Sequence, residues 1–471
     1  MASVQIAAAE PSDTAFFGHP RGLGFLSFAE AWERFSYYGM QTLLVLYMTH
    51  WLLLPGHVEH VAGFQAFRGA IEYFTGPLTQ AALASWTYGI YGALVYATPL
   101  VGGFLADRVL GRTRAITIGA ITMVAGHFLM AFEVSFLLAL VCLLVGVGLF
   151  KGNIASQVGQ LYRPDDLRRA DAFQVFMLGI QVAVIVSPLV CGTLGEKVAW
   201  HWGFGAAGVG MLLGLAVYLS GRRWLPAEAM RRTDGEGAER PRLAKGEGLT
   251  VLVLVLLLPV LAITAIGNQE IFNAYLVWGE GHYNLNLFGQ TMPVTWLVSL
   301  DAFVSMITMI AVVVFWRWWG TFRREPDEIV KLAIGAVISA FGPLLLAAGS
   351  FMEAQTGHKV GLAWGLGFHL LNDIGFANVF PVGLALYTRA SPRALGGLMI
   401  GVYYLHLFAG NFFVGWLGGL LVPMGAVNFW LLHAVLIGGG AAVMLVFAAV
   451  FGRILAPKVD PEAAEAQAAG A

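Results

Sequence analysis

The apolar residues of this chain come in unbroken blocks, not in the spaced stripes of helices that coat a soluble core. The blocks run roughly 20 residues or more, long enough for a helix to cross ~30 Å of hydrocarbon. Twelve candidate spans follow, at about 23–52, 80–105, 114–132, 136–161, 171–194, 202–220, 248–277, 291–318, 329–351, 360–388, 395–420 and 426–452. Loops between them are short except for residues 53–79 and the polar stretch from Arg222 to Glu247. That stretch mixes both charge signs with Gly and Pro, as a solvated linker does, and divides the chain into two sets of six. The expected units are 1–221, a linker over 222–247, 248–452 and a tail over 453–471.

Charge supports this division. Of the 27 Lys and Arg, all but five fall on segments on the side of the N-terminus. Arg68, Lys197 and Lys359 fall on the other side, while Arg34 and Lys151 lie within spans. Such asymmetry places both termini in the cytoplasm. Residues 1–20 are polar and hold no apolar h-region, so the first span is expected to serve as its own insertion signal. Only 12% of residues are charged and 58% are hydrophobic, far from the proportions of a soluble domain. The net charge of −1 argues against a nucleic-acid partner. Cys142 and Cys191 both lie in apolar blocks and read as small hydrophobes, not as a disulfide or metal pair. The class is an all-α membrane protein, multi-pass, expected in a cell inner membrane as a monomer.

A charge at the centre of a bilayer costs roughly 2.5–3.5 kcal/mol on the most lenient scale, so each one is a functional candidate. Here they are Glu30, Glu33, Arg34, Lys151, Glu270, Asp301 and Asp373. The first span is the most informative. Glu30, Glu33, Arg34, Tyr37, Tyr38 and Gln41 share one helical face, which must line a polar interior. Glu30 precedes Arg34 by four residues, the favourable order for an ion pair. No nucleophile–base spacing, metal cluster or cofactor motif points to an enzyme, and no cofactor is expected. The glycines within spans read as sites of close helix approach.

Two six-helix halves joined by a cytoplasmic linker resemble the major facilitator architecture. The loop after the second span, with Asp107, Arg108, Gly111 and Arg112, resembles that superfamily's loop signature. There Asp107 is expected to cap a helix N-terminus. The run Glu30-Ala-Trp-Glu33-Arg34-Phe-Ser-Tyr37-Tyr38 resembles the first helix of the proton-coupled oligopeptide transporter (POT) family. Further matches follow in order: Tyr91 and Tyr96, Gly146-Val-Gly148-Leu-Phe-Lys151-Gly-Asn153, Pro293-Val-Thr-Trp296 through Asp301, and Phe380-Pro381-Val-Gly383-Leu. The linker is too short for the two extra helices that many bacterial members carry.

The resemblance implies proton-coupled import of di- or tripeptides by alternating access. Another carboxylate-bearing solute, such as an amino acid derivative or peptidomimetic, is the alternative. Arg34 and Lys151 would take the substrate carboxylate, with Tyr37, Tyr38 and Tyr96 adding hydroxyls and aromatic walls. Glu30, Glu33, Lys151 and Glu270 would couple protons. The second half departs from the family. Asn268 stands at the family's acid of the seventh span, with Glu270 two residues on. Phe376 replaces the acid that receives the substrate's amino group. Gln181 replaces an Asn, Asp301 replaces another, and Tyr403 stands where the family has Trp. Asp301, Asp373 or Glu270, in that order, would supply a relocated anion. A lone histidine in a span is more often a packing residue than a relay, with His369 beside Asp373 the better exception.

Overall fold

The structure, a computed structural model, describes residues 13–163, 166, 168–226, 247–287, 289–392 and 395–456. Most of the expected linker and nearly all of the tail lie outside the described residues. In hydrocarbon no water reaches the backbone, so apolar blocks satisfy their N–H and C=O groups within helices. The first set comprises α1 (Arg21–Tyr47), α2 (Phe64–Thr75), α3 (Gln80–Leu105), α4 (Arg112–Leu129), α5 (Phe136–Gln160), α6 (Arg168–Ser187), α7 (Thr193–Lys197) and α8 (Trp200–Gly221). The second comprises α9 (Glu247–Thr264), α10 (Ile266–Gln269), α11 (Ala274–His282), α12 (Trp296–Gly320), α13 (Glu328–Thr356), α14 (Ala363–Ala390), α15 (Gly396–Gly418), α16 (Leu421–Met424) and α17 (Ala426–Leu455). A two-residue hairpin, Asn286–Leu287 with Gln290–Thr291, is the one sheet among the described residues.

Ten of these helical stretches are long and apolar enough to cross a membrane. α1 and α4 stand where the first and third spans are expected, but their charged residues make them more polar than the ten. Along α5 the sorting is plain: Leu138, Val141 and Val145 are exposed, as lipid-facing residues are, while Ala139, Leu143 and Val147 are buried against neighbouring helices.

The structure differs from the sequence reading in three places. The long loop at 53–79 contains α2, an amphipathic helix that buries Phe64 and Ile71. The seventh span, expected as one helix over 248–277, is broken. α9 stops at Thr264, a tight turn runs over Glu270–Phe272, and Asn273 leaves helical geometry at φ −123°, ψ −114° before α11 begins. Side chains hold the break open. Glu270 Oε1 accepts from the backbone N–H of Ala274 (3.1 Å), and Asn273 Nδ2 donates to Val414 O (3.1 Å). Finally, Asp107 caps no helix. It lies in the widened last turn of the α3 segment and accepts from Arg112 Nη2 at 3.1 Å. The residue that opens α4 is Gly111, at φ +77°, a conformation that a Cβ disfavours.

The two sets share a core at one end only. One apolar cluster runs through α1–α8 and continues into α11 and the starts of α12, α14 and α17, through Tyr275, Trp278, Leu297, Phe368 and Trp430. A separate cluster, with Leu254, Leu332, Tyr387, Tyr403 and Met444, fills the other end of the second set. Polar contacts tie the shared end. Glu196 accepts from the N–H groups of Val294 (2.9 Å) and Thr295 (3.0 Å) and from Thr295 Oγ1 (2.6 Å). Trp296 Nε1 donates to Thr193 Oγ1 at 2.8 Å, Ser299 Oγ donates to Ile185 O at 2.7 Å, and Asn273 Nδ2 donates to Ser85 Oγ at 2.6 Å. His50 and Glu280 lie 3.1 Å apart there.

α3 of the first set crosses α15 of the second at Gly89 and Gly415, where a Cβ on Gly89 would meet Gly415 Cα at 2.4 Å. Gly89→Val is therefore expected to force the helices apart. The cost should be about 1–3 kcal/mol, read as a lowered Tm of the purified protein, with Gly69→Ala on exposed α2 as the neutral control.

Candidate functional site

Helical spacing carries the polar face of α1 inward, and packing buries Glu30, Glu33, Arg34, Tyr37 and Gln41 on it. Arg34 sits between two carboxylates. Its Nε donates to Glu30 Oε1 at 2.9 Å and forms an ion pair with Glu33 Oε2 at 2.6 Å. The guanidinium carbon lies 5.5 Å from the centre of the Tyr37 ring. Lys151, half-buried on α5, holds its ammonium 4.8 Å over the Tyr96 ring, the attractive geometry for a cation and an aromatic face. Among the described residues no carboxylate lies within ion-pair distance of Lys151.

This cluster has unused capacity of both signs. Glu30 Oε2, Glu33 Oε1 and Arg34 Nη2 are buried and reach no hydrogen-bond partner, while Glu33 Oε2 is held by its ion pair with Arg34 alone. Buried charged atoms without partners are costly, so such a group is built to receive something. Tyr38 is half-buried beside it, and its ring lies 5.9 Å from Phe272 in the break of the second set. Gln41 closes the row by donating to Tyr88 Oη at 2.9 Å. Gln181, on α6, is half-buried.

Facing residues of the second set are mostly uncharged. Asn268 and Phe376 line a small cavity between α10 and α14. Asn268 accepts from Gln269 Nε2 at 3.0 Å. Phe376 stacks on Phe380 with ring centres 5.1 Å apart, and Tyr403 Oη donates to Phe380 O at 2.6 Å. An aromatic wall thus stands at the position where the sequence lacks an acid.

The three acids within the spans of this half, Glu270, Asp301 and Asp373, are withdrawn into two buried networks. Glu270 caps α11, as described, and its other oxygen faces His433 Nε2 on α17 at 3.4 Å. His433 Nδ1 lies 2.8 Å from the carbonyl of Phe429, which can only accept, so that nitrogen carries the hydrogen. Nε2 is then the ring atom turned toward Glu270. Sequence reasoning did not single out His433; its only signal was to be an ionisable residue inside a span.

The second network joins Asp301 on α12 with His369 and Asp373 on α14. Asp301 Oδ1 lies 2.8 Å from His369 Nδ1, and His369 Nε2 lies 2.9 Å from Tyr275 Oη. Both oxygens of Asp373 are buried without a partner. Donor atoms of the three residues lie within 4.8 Å of one another, a spacing that also suits a cation. Tyr275 was likewise not singled out from sequence.

The cap predicts a graded response. Glu270→Gln keeps a carbonyl oxygen for the Ala274 N–H and is expected to hold Tm near the wild type. Glu270→Leu leaves that N–H unsatisfied and should cost about 1–3 kcal/mol in thermal unfolding.

The comparisons with known proteins agree with this geometry. The POT family model (PTR2) matches residues 113–233. The di-/tripeptide transporter of Lactococcus lactis subsp. cremoris is 30% identical over 464 residues, covering 84% of this chain and 88% of that protein. The uncharacterized transporter YclF of Bacillus subtilis (strain 168) is 28% identical over 445 residues, 83% of this chain and 86% of the relative. Among solved structures, a mutant of the peptide transporter POT in complex with sulfate superposes with a TM-score of 0.82 at 25% identity, covering 96% and 99% of the two chains. The same transporter's complex with alafosfalin gives 0.78 at 27% identity with the same coverage. An extended ion-pair face on α1, a lysine on α5 and a transporter bundle matched over nearly its whole length have one common reading: the chain belongs to the POT family of membrane transporters.

Proposed function

We propose that this protein is a proton-driven symporter that imports di- or tripeptides across an inner membrane by alternating access. Twelve spans in two six-helix bundles, 1–221 and 248–452, would rock about a midplane site, with both termini and the linker in the cytoplasm and the protein acting as a monomer. Basic residues crowd the end away from His50 and Glu280, which makes the tied end the outer one. The described conformation is then closed to the outside.

The observation that carries this reading is the charge of the α1 cluster. With both acids ionised, Glu30, Glu33, Arg34 and Lys151 sum to zero. A substrate carboxylate entering this dry site adds one negative charge, and one proton on Glu30 or Glu33 restores neutrality. Arg34, released from that acid, can then present its planar fork to the carboxylate while Lys151 supplies a point charge. Proton and substrate are stable in the site together and unstable apart, which is what coupling requires. The relatives named as di-/tripeptide transporters support the peptide as cargo.

One observation favours the other carboxylates. Phe376, stacked on Phe380, offers no anion to a peptide's amino end. A thermal-shift screen separates the two cargoes: peptides with free amino ends should stabilise the protein, and stabilisation only by non-peptide carboxylates would turn the reading to the second. In liposomes with an inward proton gradient, the wild type should accumulate small peptides and Arg34→Gln should bind them about 10- to 100-fold more weakly. Glu33→Gln should lose accumulation yet retain peptide exchange at equal pH. If no small peptide accumulates, the peptide assignment fails.

A further inference from the structure

The network around Asp373 has no role in the cycle described above. It joins three helices of the second set and holds Asp301, His369 and Asp373, with Asp373 and His369 wholly buried and Asp301 nearly so. No Lys or Arg among the described residues forms an ion pair with any of them. Two bare carboxylates so close together in such a place are untenable. Two additional charges are required, whether two protons or one divalent cation.

The hydrogen bonds favour protons. His369 is bonded through both ring nitrogens, to Asp301 at 2.8 Å and to Tyr275 Oη at 2.9 Å, so neither nitrogen is left open for a metal. Tyr275 Oη in turn lies 3.4 Å from Tyr283 Oη. Tyr283 borders the vestibule at the tied end, beside His50, Glu196, Glu280 and Lys359. Gly365 makes room for the two hydroxyls, since a Cβ there would meet Tyr283 Oη at 2.6 Å and Tyr275 Oη at 3.1 Å. From Tyr283, itself wholly buried behind the vestibule wall, hydrogen-bonding groups therefore run through Tyr275 and His369 to Asp301, with Asp373 within 4.8 Å, past an end that is closed to solutes.

We propose that Asp301, His369 and Asp373 form a second proton-carrying site, separate from Glu30 and Glu33, filled from the outer vestibule through Tyr283 and Tyr275. A proton enters at Tyr283 while each hydroxyl passes on its own, so neither tyrosine is left ionised. His369 Nε2 takes the proton from Tyr275, and Nδ1 gives its proton to Asp301. A turn of the Asp301 carboxyl passes that proton on to Asp373, whose two oxygens are unpartnered and one of which lies within 4.8 Å, and Asp301 then takes the next. The other titratable groups on the elements packed around the site are Glu270 and His433, 3.4 Å apart, His282 and Glu353, 2.5 Å apart, Glu280 beside His50, and, elsewhere on these helices, Arg317, Glu328, Lys331, Tyr387, Arg389 and Arg453. The proposal rests on the proton-coupled reading above for its use in transport, but not for the existence of the site.

The test has two arms. In the first, infrared pH titration of the detergent-purified protein, which needs no substrate, should show a protonated carboxyl band in the wild type. Asp373→Asn should lose it and Asp301→Asn should shift it. In the second, reversal potentials in liposomes should give one proton fewer per cycle for Asp373→Asn. Tyr275→Phe should slow proton-driven uptake about 10-fold and leave exchange at equal pH unchanged. His369→Gln serves if Asp373→Asn does not fold. An unchanged band and an unchanged proton count overturn the proposal, as does one divalent metal ion per chain with uptake abolished by a chelator. A wild type that accumulates no peptide sinks the function proposed above and leaves the infrared arm to decide this one.

Discussion

An ionised side chain without water must be neutralised where it stands, and the interior of this protein is arranged around that constraint. In the first set the answer is local and covalently close. Two acids and an arginine on adjacent turns of α1 pair with each other, and Lys151 sits across from them on an aromatic ring. In the second set Arg389 and Lys331 pair with Glu328 and Glu325 near the helix ends, and among the described residues no Lys or Arg forms an ion pair with the three acids buried within the spans. Those turn instead to histidine, to tyrosine hydroxyls and to the backbone N–H exposed by a broken helix.

The broken seventh span links these arrangements. A helix with a gap at its centre would be untenable in lipid, and it survives because Asn273 and Glu270 supply the missing partners. Asn273 also reaches Ser85 on α3, and Phe272 meets Tyr38 on α1. The break is thus the place where the second set touches the charged face of the first. A change of partner for Arg34 and a change in the packing of the two sets have this segment in common. Below it the apolar cores of the sets are separate, which leaves the far end free to open while Glu196, Thr193 and Ser85 hold the near one.

Much of this was legible before any coordinates. Apolar blocks of membrane length can only be helices, so the spans follow from composition, and the i, i+3, i+4 spacing of Glu30, Glu33 and Arg34 settles that they share a face. The lack of an acid at Phe376 is likewise a fact of sequence. Periodicity was silent about the gap after Gln269, because Asn268, Gln269, Glu270 and Asn273 read equally well as the polar face of an unbroken helix, and what holds the break is the contact that Asn273 makes with Val414 and Ser85 on other helices. The expectation that Asp107 would cap a helix read a local motif without its partner, Arg112, whose reach is decided by the turn at Gly111.

The sequence by itself determined the class of molecule, the polar face of α1 and the charges that had to be explained, since these depend on spacing within single helices. Only the tertiary structure decided which helices meet. It brought His433 to Glu270, and His369, Tyr275 and Asp301 to Asp373, over separations of up to 163 residues. No local rule encodes those pairings, because they are selected by the packing of whole helices and by the need to leave no buried charge alone.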